Sequence, residues 1–185
     1  MKFEKTPIEG LWLIEPRVFA DERGHFFEPF NEKQMLEHGI MGPFVQDNES
    51  LSHSGVLRGL HYQKNPYQQG KLVRVVRGAV TDVVVDIRPE SKTFGRHYKV
   101  ELSSSNHLML WIPPGFAHGF LTLTDDTIFL YKVTAYYHPQ SESGIIYNDP
   151  QLNIDWNINN PIVSEKDKIL PSFGEYKLTV QTKTI

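Results

Sequence analysis

Apolar positions along this chain come in short runs rather than in helical stripes. Runs at 11–19, 43–51, 70–77, 79–88, 97–102, 108–112, 117–123 and 127–135 are continuous or alternate with polar residues, which is the pattern of strands burying one face or both. The densest, Thr81-Asp82-Val83-Val84-Val85-Asp86-Ile87, is rich in β-branched residues. Gly70, Gly78, Pro89, Gly95 and Pro113-Pro114-Gly115 punctuate the runs as turn residues do. Many short strands separated by turns predict a mainly β protein, a sandwich or small barrel. Few helices are expected. Asn31-Glu32-Lys33-Gln34 resembles a capping box opening a short helix that ends at Gly39, and Ser164-Glu165-Lys166-Asp167 opens a second candidate. No linker, low-complexity tract or repeat divides residues 1–185, so a single domain is expected. Within the last ten residues, the mostly polar stretch after Tyr176 is expected to be loosely held.

Composition narrows the function classes. At 39% hydrophobic and 22% charged residues the chain is that of an ordinary globular protein. A formal net charge of −3 argues against broad binding to nucleic acid, although it leaves room for a small basic pocket. Without cysteine there is no disulfide, thiolate nucleophile or Cys-ligated metal. No signal-like apolar run opens the chain and no stretch is long enough to span a membrane, so a cytoplasmic location is expected. Asn48-Glu49-Ser50 fits the glycosylation pattern and, without a secretory signal, is taken as chance.

Five segments could carry chemistry, and each also has a plain structural reading. In Val56-Leu57-Arg58-Gly59-Leu60-His61-Tyr62-Gln63 a regular strand would put Arg58 and His61 on opposite faces; a bend or bulge at Gly59 would bring both to one cavity. In Pro113-Pro114-Gly115-Phe116-Ala117-His118 a rigid turn delivers His118 among aromatics, as a ligand, a hydrogen-bonding group or a core histidine. Together these two segments resemble the two motifs of cupin barrels. The first departs from the metal-binding form, which has His-x-His followed closely by Glu. Here Gln63 follows His61, and no Glu occurs between Gln63 and Glu90. Two histidines are too few for a metal site, so acid–base chemistry in the same cavity is favoured.

Gly70-Lys71-Leu72 is not a phosphate-binding loop, since Asn65 stands where its first Gly would be and Leu72 where Ser or Thr would be. Lys71 is either a solvated strand residue or an ammonium placed to stabilise an oxyanion. Asp167, three residues after Ser164, is either a favourable charge at a helix N-terminus or the carboxylate that holds a catalytic histidine in one tautomer. Tyr131, near the end of a strand, is either packing or a general acid.

Eight stretches in order resemble one family, the dTDP-4-dehydrorhamnose 3,5-epimerases of the cupin superfamily. They are Asp21-Glu22-Arg23-Gly24, Phe44-Val45-Gln46-Asp47-Asn48, Val56 to His61, Gly70 to Arg74, Ile112 to Phe120, Tyr131-Lys132, Asn148-Asp149-Pro150 and Ser164 to Asp167. The resemblance implies a jelly-roll β-barrel with a few short helices. It implies a substrate, dTDP-4-dehydro-6-deoxy-D-glucose, a product, dTDP-4-dehydro-L-rhamnose, and neither metal nor redox cofactor. That reaction is the third step of dTDP-rhamnose synthesis, supplying cell-surface polysaccharide in bacteria or archaea. By the same resemblance His61 is the base, Asp167 its carboxylate partner, Lys71 the enolate stabiliser and Tyr131 the acid. Arg23, Glu28, Gln46, Asn48, Arg58, His118, Glu142 and Lys166 match substrate-binding positions, and Phe26 and Tyr137 are candidates to stack on thymine. The resemblance further implies a homodimer with an exchanged N-terminal strand, in which Arg23 and Glu28 serve the neighbour's site. His25 and Asn157 depart from the family's usual residues, outside the catalytic set. Three rivals remain: a single-centre epimerase or ketoisomerase on the same fold, a non-catalytic cupin that binds a nucleotide sugar, and a metal-dependent cupin oxygenase.

Overall fold

The computed structural model describes residues 1–181. In chain order it begins with β1 (Lys2–Lys5), β2 (Trp12–Glu15) and a hairpin of β3 (Phe19–Asp21) and β4 (Gly24–Phe26). Helix α1 (Glu32–Glu37) leads to β5 (Gln46–Ser52), β6 (Val56–Gln63), β7 (Lys71–Arg77), β8 (Ala79–Asp86) and β9 (His97–Ser103). Then come β10 (Met109–Ile112), β11 (Phe116–Thr122), β12 (Thr127–Val133), β13 (Glu142–Gly144), β14 (Ile162–Val163), α2 (Glu165–Lys168) and α3 (Phe173–Gln181). Among the described residues no helix is long and apolar enough to cross a membrane.

The strands form two main sheets, ordered β1-β2-β10-β7-β12-β5 and β13-β6-β11-β8-β9, with β14 added in parallel to β6. Their inner faces share one core. Val73, Val75, Leu110 and Phe129 from the first sheet pack with Val80, Val84, Leu102, Phe116 and Phe120 from the second. A fully buried side chain such as Phe129 contributes about 1.5–3 kcal/mol. This is the mainly β, jelly-roll architecture expected of a cupin.

Each sheet is also covered on its outer face. Met35 and Ile40, at α1 and just beyond it, pack on Ile14, Leu72, Met109 and Trp111 of the first sheet. The C-terminal segment, through Leu152, Trp156, Phe173 and Tyr176, packs on Leu57, Val83, Val85 and Leu121 of the second. Hence β8 reads as an almost unbroken apolar run: Val80 and Val84 face inward while Val83 and Val85 face outward, and both sides are buried.

Asn31 caps α1 as predicted, its side chain accepting from the Gln34 N–H at 3.2 Å. Two expectations are corrected. The run 11–19 is broken, because Pro16 lacks the N–H that a continuing strand would need, and the chain resumes pairing only at Phe19. The stretch after Tyr176 is helical to Gln181, on a helix anchored by Phe173 and Tyr176; the remainder of the tail lies outside the described residues.

Candidate active site

A cavity of about 620 Å³ lies between the two sheets, continuous in its lining with a smaller one of about 210 Å³ that shares Asn48, His61, Lys71 and Tyr131. Together they suit a ligand of nucleotide-sugar size. Strand alternation explains most of the lining. On the first sheet, Gln46 and Asn48 of β5, Lys71 of β7 and Tyr131 of β12 share the inward face with Val73 and Phe129. His118 of β11 points inward between Phe116 and Phe120.

Strand β6 breaks the alternation. Leu57 and Leu60 both pack outward, so one residue between them is out of phase. The β6–β11 register shifts at this point, and Gly59 adopts φ +127°, a conformation side-chain-bearing residues rarely take. A Cβ on Gly59 would lie 2.5 Å from Gly119 Cα and 2.8 Å from the His118 carbonyl oxygen. Two glycines therefore let the strands approach at the bulge, and the bulge turns both Arg58 and His61 into the cavity.

His61 Nε2 lies 2.6 Å from Asp167 Oδ1. The carboxylate can only accept, so it selects the Nε2–H tautomer and leaves the lone pair on Nδ1. Asp167 is 3% exposed. Its second oxygen accepts from the Gly59 N–H at 3.2 Å, and its own N–H donates to the Ser164 hydroxyl at 3.1 Å. Burial pushes the Asp167 carboxyl up, but the hydrogen bonds and charge of His61 and the Gly59 N–H outweigh it, and the net shift is downward.

Lys71 is enclosed by protein, with its remaining exposed surface facing the cavity. Burial lowers its pKa to about 8, against the opposing attraction of Asp82 and Glu142. Its Nζ lies 6.0 Å from the centroid of the Tyr131 ring. Burial pushes the Tyr131 phenol up, so it holds its proton at neutral pH. His118 forms a second imidazole–carboxylate pair, Nε2 to Asp82 Oδ2 at 2.8 Å, and burial holds its pKa below the usual histidine value. Arg58 is braced by the Ser52 hydroxyl, which accepts from Nε at 3.2 Å and from Nη2 at 3.1 Å. Glu142 accepts from the Tyr137 hydroxyl at 2.6 Å and pairs with Lys166, joining β13 to α2 at the rim. Burial would raise the Glu142 carboxyl; Lys166 and Tyr137 bring it below the ordinary range.

The structure thus brings together ten of the twelve candidate residues. Arg23 and Glu28 are elsewhere. Arg23 sits on the β3–β4 hairpin, 84% exposed and paired with Asp21, and Glu28 is exposed beyond the same hairpin. Sequence reasoning did not single out Ser52 or Asp82. Asp82 carried the readable signal, as an acid inside an otherwise apolar, doubly covered strand. Among the described residues no group of three or more His, Asp or Glu could hold a metal ion, and the Nε2 of both His61 and His118 is engaged by a carboxylate.

An imidazole on one sheet backed by a carboxylate from α2, a protonated phenol on the other sheet and an ammonium beside it can remove a proton from carbon next to a carbonyl and return one from the opposite side. A family model described as dTDP-4-dehydrorhamnose 3,5-epimerase matches residues 5–175. The enzyme of that name from Escherichia coli is 51% identical over 178 residues, covering 95% of this chain and 96% of the relative. The crystal structure of the Legionella pneumophila epimerase in complex with dTDP-4-keto-L-rhamnose superposes with a TM-score of 0.90 at 50% identity, covering 94% of this chain and 93% of that one. A 3'-monoepimerase from Streptomyces bikiniensis, solved with dTDP-quinovose, matches with a TM-score of 0.90 at 35% identity, covering 95% and 89%.

Proposed function

The chain belongs to the dTDP-4-dehydrorhamnose 3,5-epimerase family, and from that premise we propose that it inverts C3 and C5 of dTDP-4-dehydro-6-deoxy-D-glucose to give dTDP-4-dehydro-L-rhamnose. The observation that carries the mechanism is the placement of His61, with Asp167 behind it, across the cavity from Tyr131 on the opposite sheet. Inversion needs this arrangement, since a single base returns the proton to the face it came from.

C3 and C5 both flank the C4 ketone. His61 Nδ1 takes the proton from either carbon, and the electron pair moves to the C4 oxygen as an enolate. The Lys71 ammonium stabilises that oxygen within the enclosed cavity, where a charge acts more strongly than in water. The Tyr131 hydroxyl then delivers a proton to the opposite face of the carbon, and solvent resets both groups. Asp167 stabilises the imidazolium formed on the way. The chemistry calls for no metal and no redox cofactor.

Arg58, held by Ser52, presents a guanidinium fork suited to the diphosphate. Gln46, Asn48, His118, Glu142 and Lys166 orient the sugar and nucleotide, and Tyr137 at the mouth stacks on thymine. Arg23, Glu28 and Phe26 sit on or beside a hairpin whose six strand residues are all exposed, as an arm that completes a neighbouring site would be. The functional unit is accordingly a cytoplasmic homodimer, each subunit one epimerase domain with an exchanged N-terminal strand.

Because a 3'-monoepimerase shares the fold, the number of centres inverted is the point to test. Incubated with substrate in deuterated water, the protein is expected to incorporate label at both C3 and C5. Label at one centre alone would replace double epimerisation with the single-centre reading. Absence of exchange with tight ligand binding would make the protein a non-catalytic binder.

A further inference from the structure

Gln63 occupies the position where a metal-binding cupin has its second histidine, and its side chain is fully committed elsewhere. It closes β6 two residues after His61, on the same inward face, and is 6% exposed. Its Nε2 donates to the Tyr67 carbonyl at 2.6 Å and to the Tyr136 carbonyl at 3.2 Å, while Oε1 accepts from the His138 N–H at 2.7 Å. Two donors and one acceptor on a single group are what an amide offers. Neutral imidazole has one of each, and a carboxylate has no donor.

The two contacts at Tyr136 and His138 bracket Tyr137. Further ties hold the same segment: Gln69 Nε2 donates to the Ala135 carbonyl at 2.7 Å, and Gln46 Oε1 accepts from the Tyr137 N–H at 3.3 Å. The His138 ring stacks on Tyr67 at 3.7 Å and 3°, so the two loops that Gln63 joins also touch directly. The Tyr137 ring remains 52% exposed at the cavity wall, steadied at its far end by Glu142.

We propose that Gln63 is a positioning residue for nucleotide affinity: by bracketing Tyr137 it fixes that ring at the cavity mouth before the ligand arrives. This rests on the reading that the ligand is a dTDP-sugar with its base against Tyr137. An aromatic ring already held in its binding position loses less freedom on contact, so the tie appears in affinity and not in the proton-transfer step.

The test is calorimetric binding of dTDP and of inorganic pyrophosphate to wild type, Gln63→Met, Tyr137→Ala and the double variant, together with steady-state kinetics. Gln63→Met is expected to weaken dTDP about five- to tenfold and raise KM in step, leaving kcat and pyrophosphate affinity within about twofold. In the Tyr137→Ala background the same change should cost less than about twofold, because the ring through which it acts is gone. Equal weakening of pyrophosphate, a fall in kcat, or full additivity with Tyr137→Ala would overturn the inference. Where Gln63→Met does not fold, Gln63→Glu, which keeps the acceptor and loses both donors, is read by the same criteria. Wild type that binds no dTDP would sink the functional reading itself; wild type that binds dTDP while Gln63→Met is unmoved sinks only the role of Gln63.

Discussion

Asp167 stands both in the first turn of α2 and against His61, the two settings that its sequence context presents as alternatives. Its N–H is capped by Ser164 at the start of α2, and its carboxylate reaches across to His61. The capping interaction uses only the backbone, so Asp167→Asn leaves it in place. The amide cannot supply acceptors to both His61 and Gly59; facing its NH₂ to His61 moves the imidazole proton to Nδ1 and removes the base's lone pair. Asp167→Asn is therefore expected to lower kcat by about 10²–10⁴, measured by loss of solvent-derived label at C3 and C5. In the proposed mechanism Lys71 sets an alkaline limit. Its ammonium is the catalytically useful form, and its pKa of about 8 means that form is lost as pH rises through that value. Tyr131 is shifted upward instead and stays protonated over the same interval. A fall in kcat/KM of the free enzyme above about pH 8 is expected, and Lys71→Arg should move that limb out of the accessible range. A limb that stays in place in Lys71→Arg would assign it to another group.

Strand β6 is the element on which the site turns. Its alternation in the sequence separates Arg58 from His61, and only the bulge reunites them. Gly59→Ala would force a Cβ against Gly119 and the His118 carbonyl in an already unfavourable backbone conformation. It is expected to cost about 3 kcal/mol or more, read as a lower urea midpoint, and to abolish activity by turning one of the two side chains away. A loss below about 1 kcal/mol would contradict the contact. The same element shows how far the sequence could be read. The apolar runs marked β2, β5 and β7 to β12, because burial on one or two faces leaves a direct pattern; the short strands β1, β13 and β14 left none. The facing of Lys71 and Tyr131 stays open between two readings in the sequence, and their parity with Val73 and Phe129 on the placed strands decides it. The facing of His61 stays conditional on a bend or bulge at Gly59, which the sequence offers and the register shift against β11 supplies. Ser52 was hidden because its role lies in a contact with Arg58 on another strand, whereas Asp82 left a signal in β8 but its pairing with His118 did not. The helix at 173–181 was missed because its polar residues outweigh the two aromatics that anchor it.

At the scale of the molecule, the proposed catalytic groups come from opposite sheets and α2, and the proposed binding groups Arg23 and Glu28 from an arm that neither sheet covers. If that arm completes a partner's cavity, two defective subunits can repair each other. His61→Ala and Arg23→Ala homodimers are each expected to be impaired, the latter by about tenfold or more in KM through loss of a charged hydrogen bond. Co-expressed, they form heterodimers in which one cavity has an intact base and an intact arm. Recovered activity in the heterodimer fraction is the expected outcome, and activity no higher than the sum of the two homodimers would place the arm in its own subunit.

The pairing of His61 with Asp167 spans 106 residues of sequence. During synthesis the base, the ammonium and the phenol all emerge from the ribosome before the carboxylate that orients the base. A nascent chain can therefore pair most of its strands and still be silent, and catalysis begins only when β14 and α2 dock beside β6. Appearance of epimerase activity in a translation time course would thus report a late long-range closure of the fold, later than any signal from strands β1 to β12.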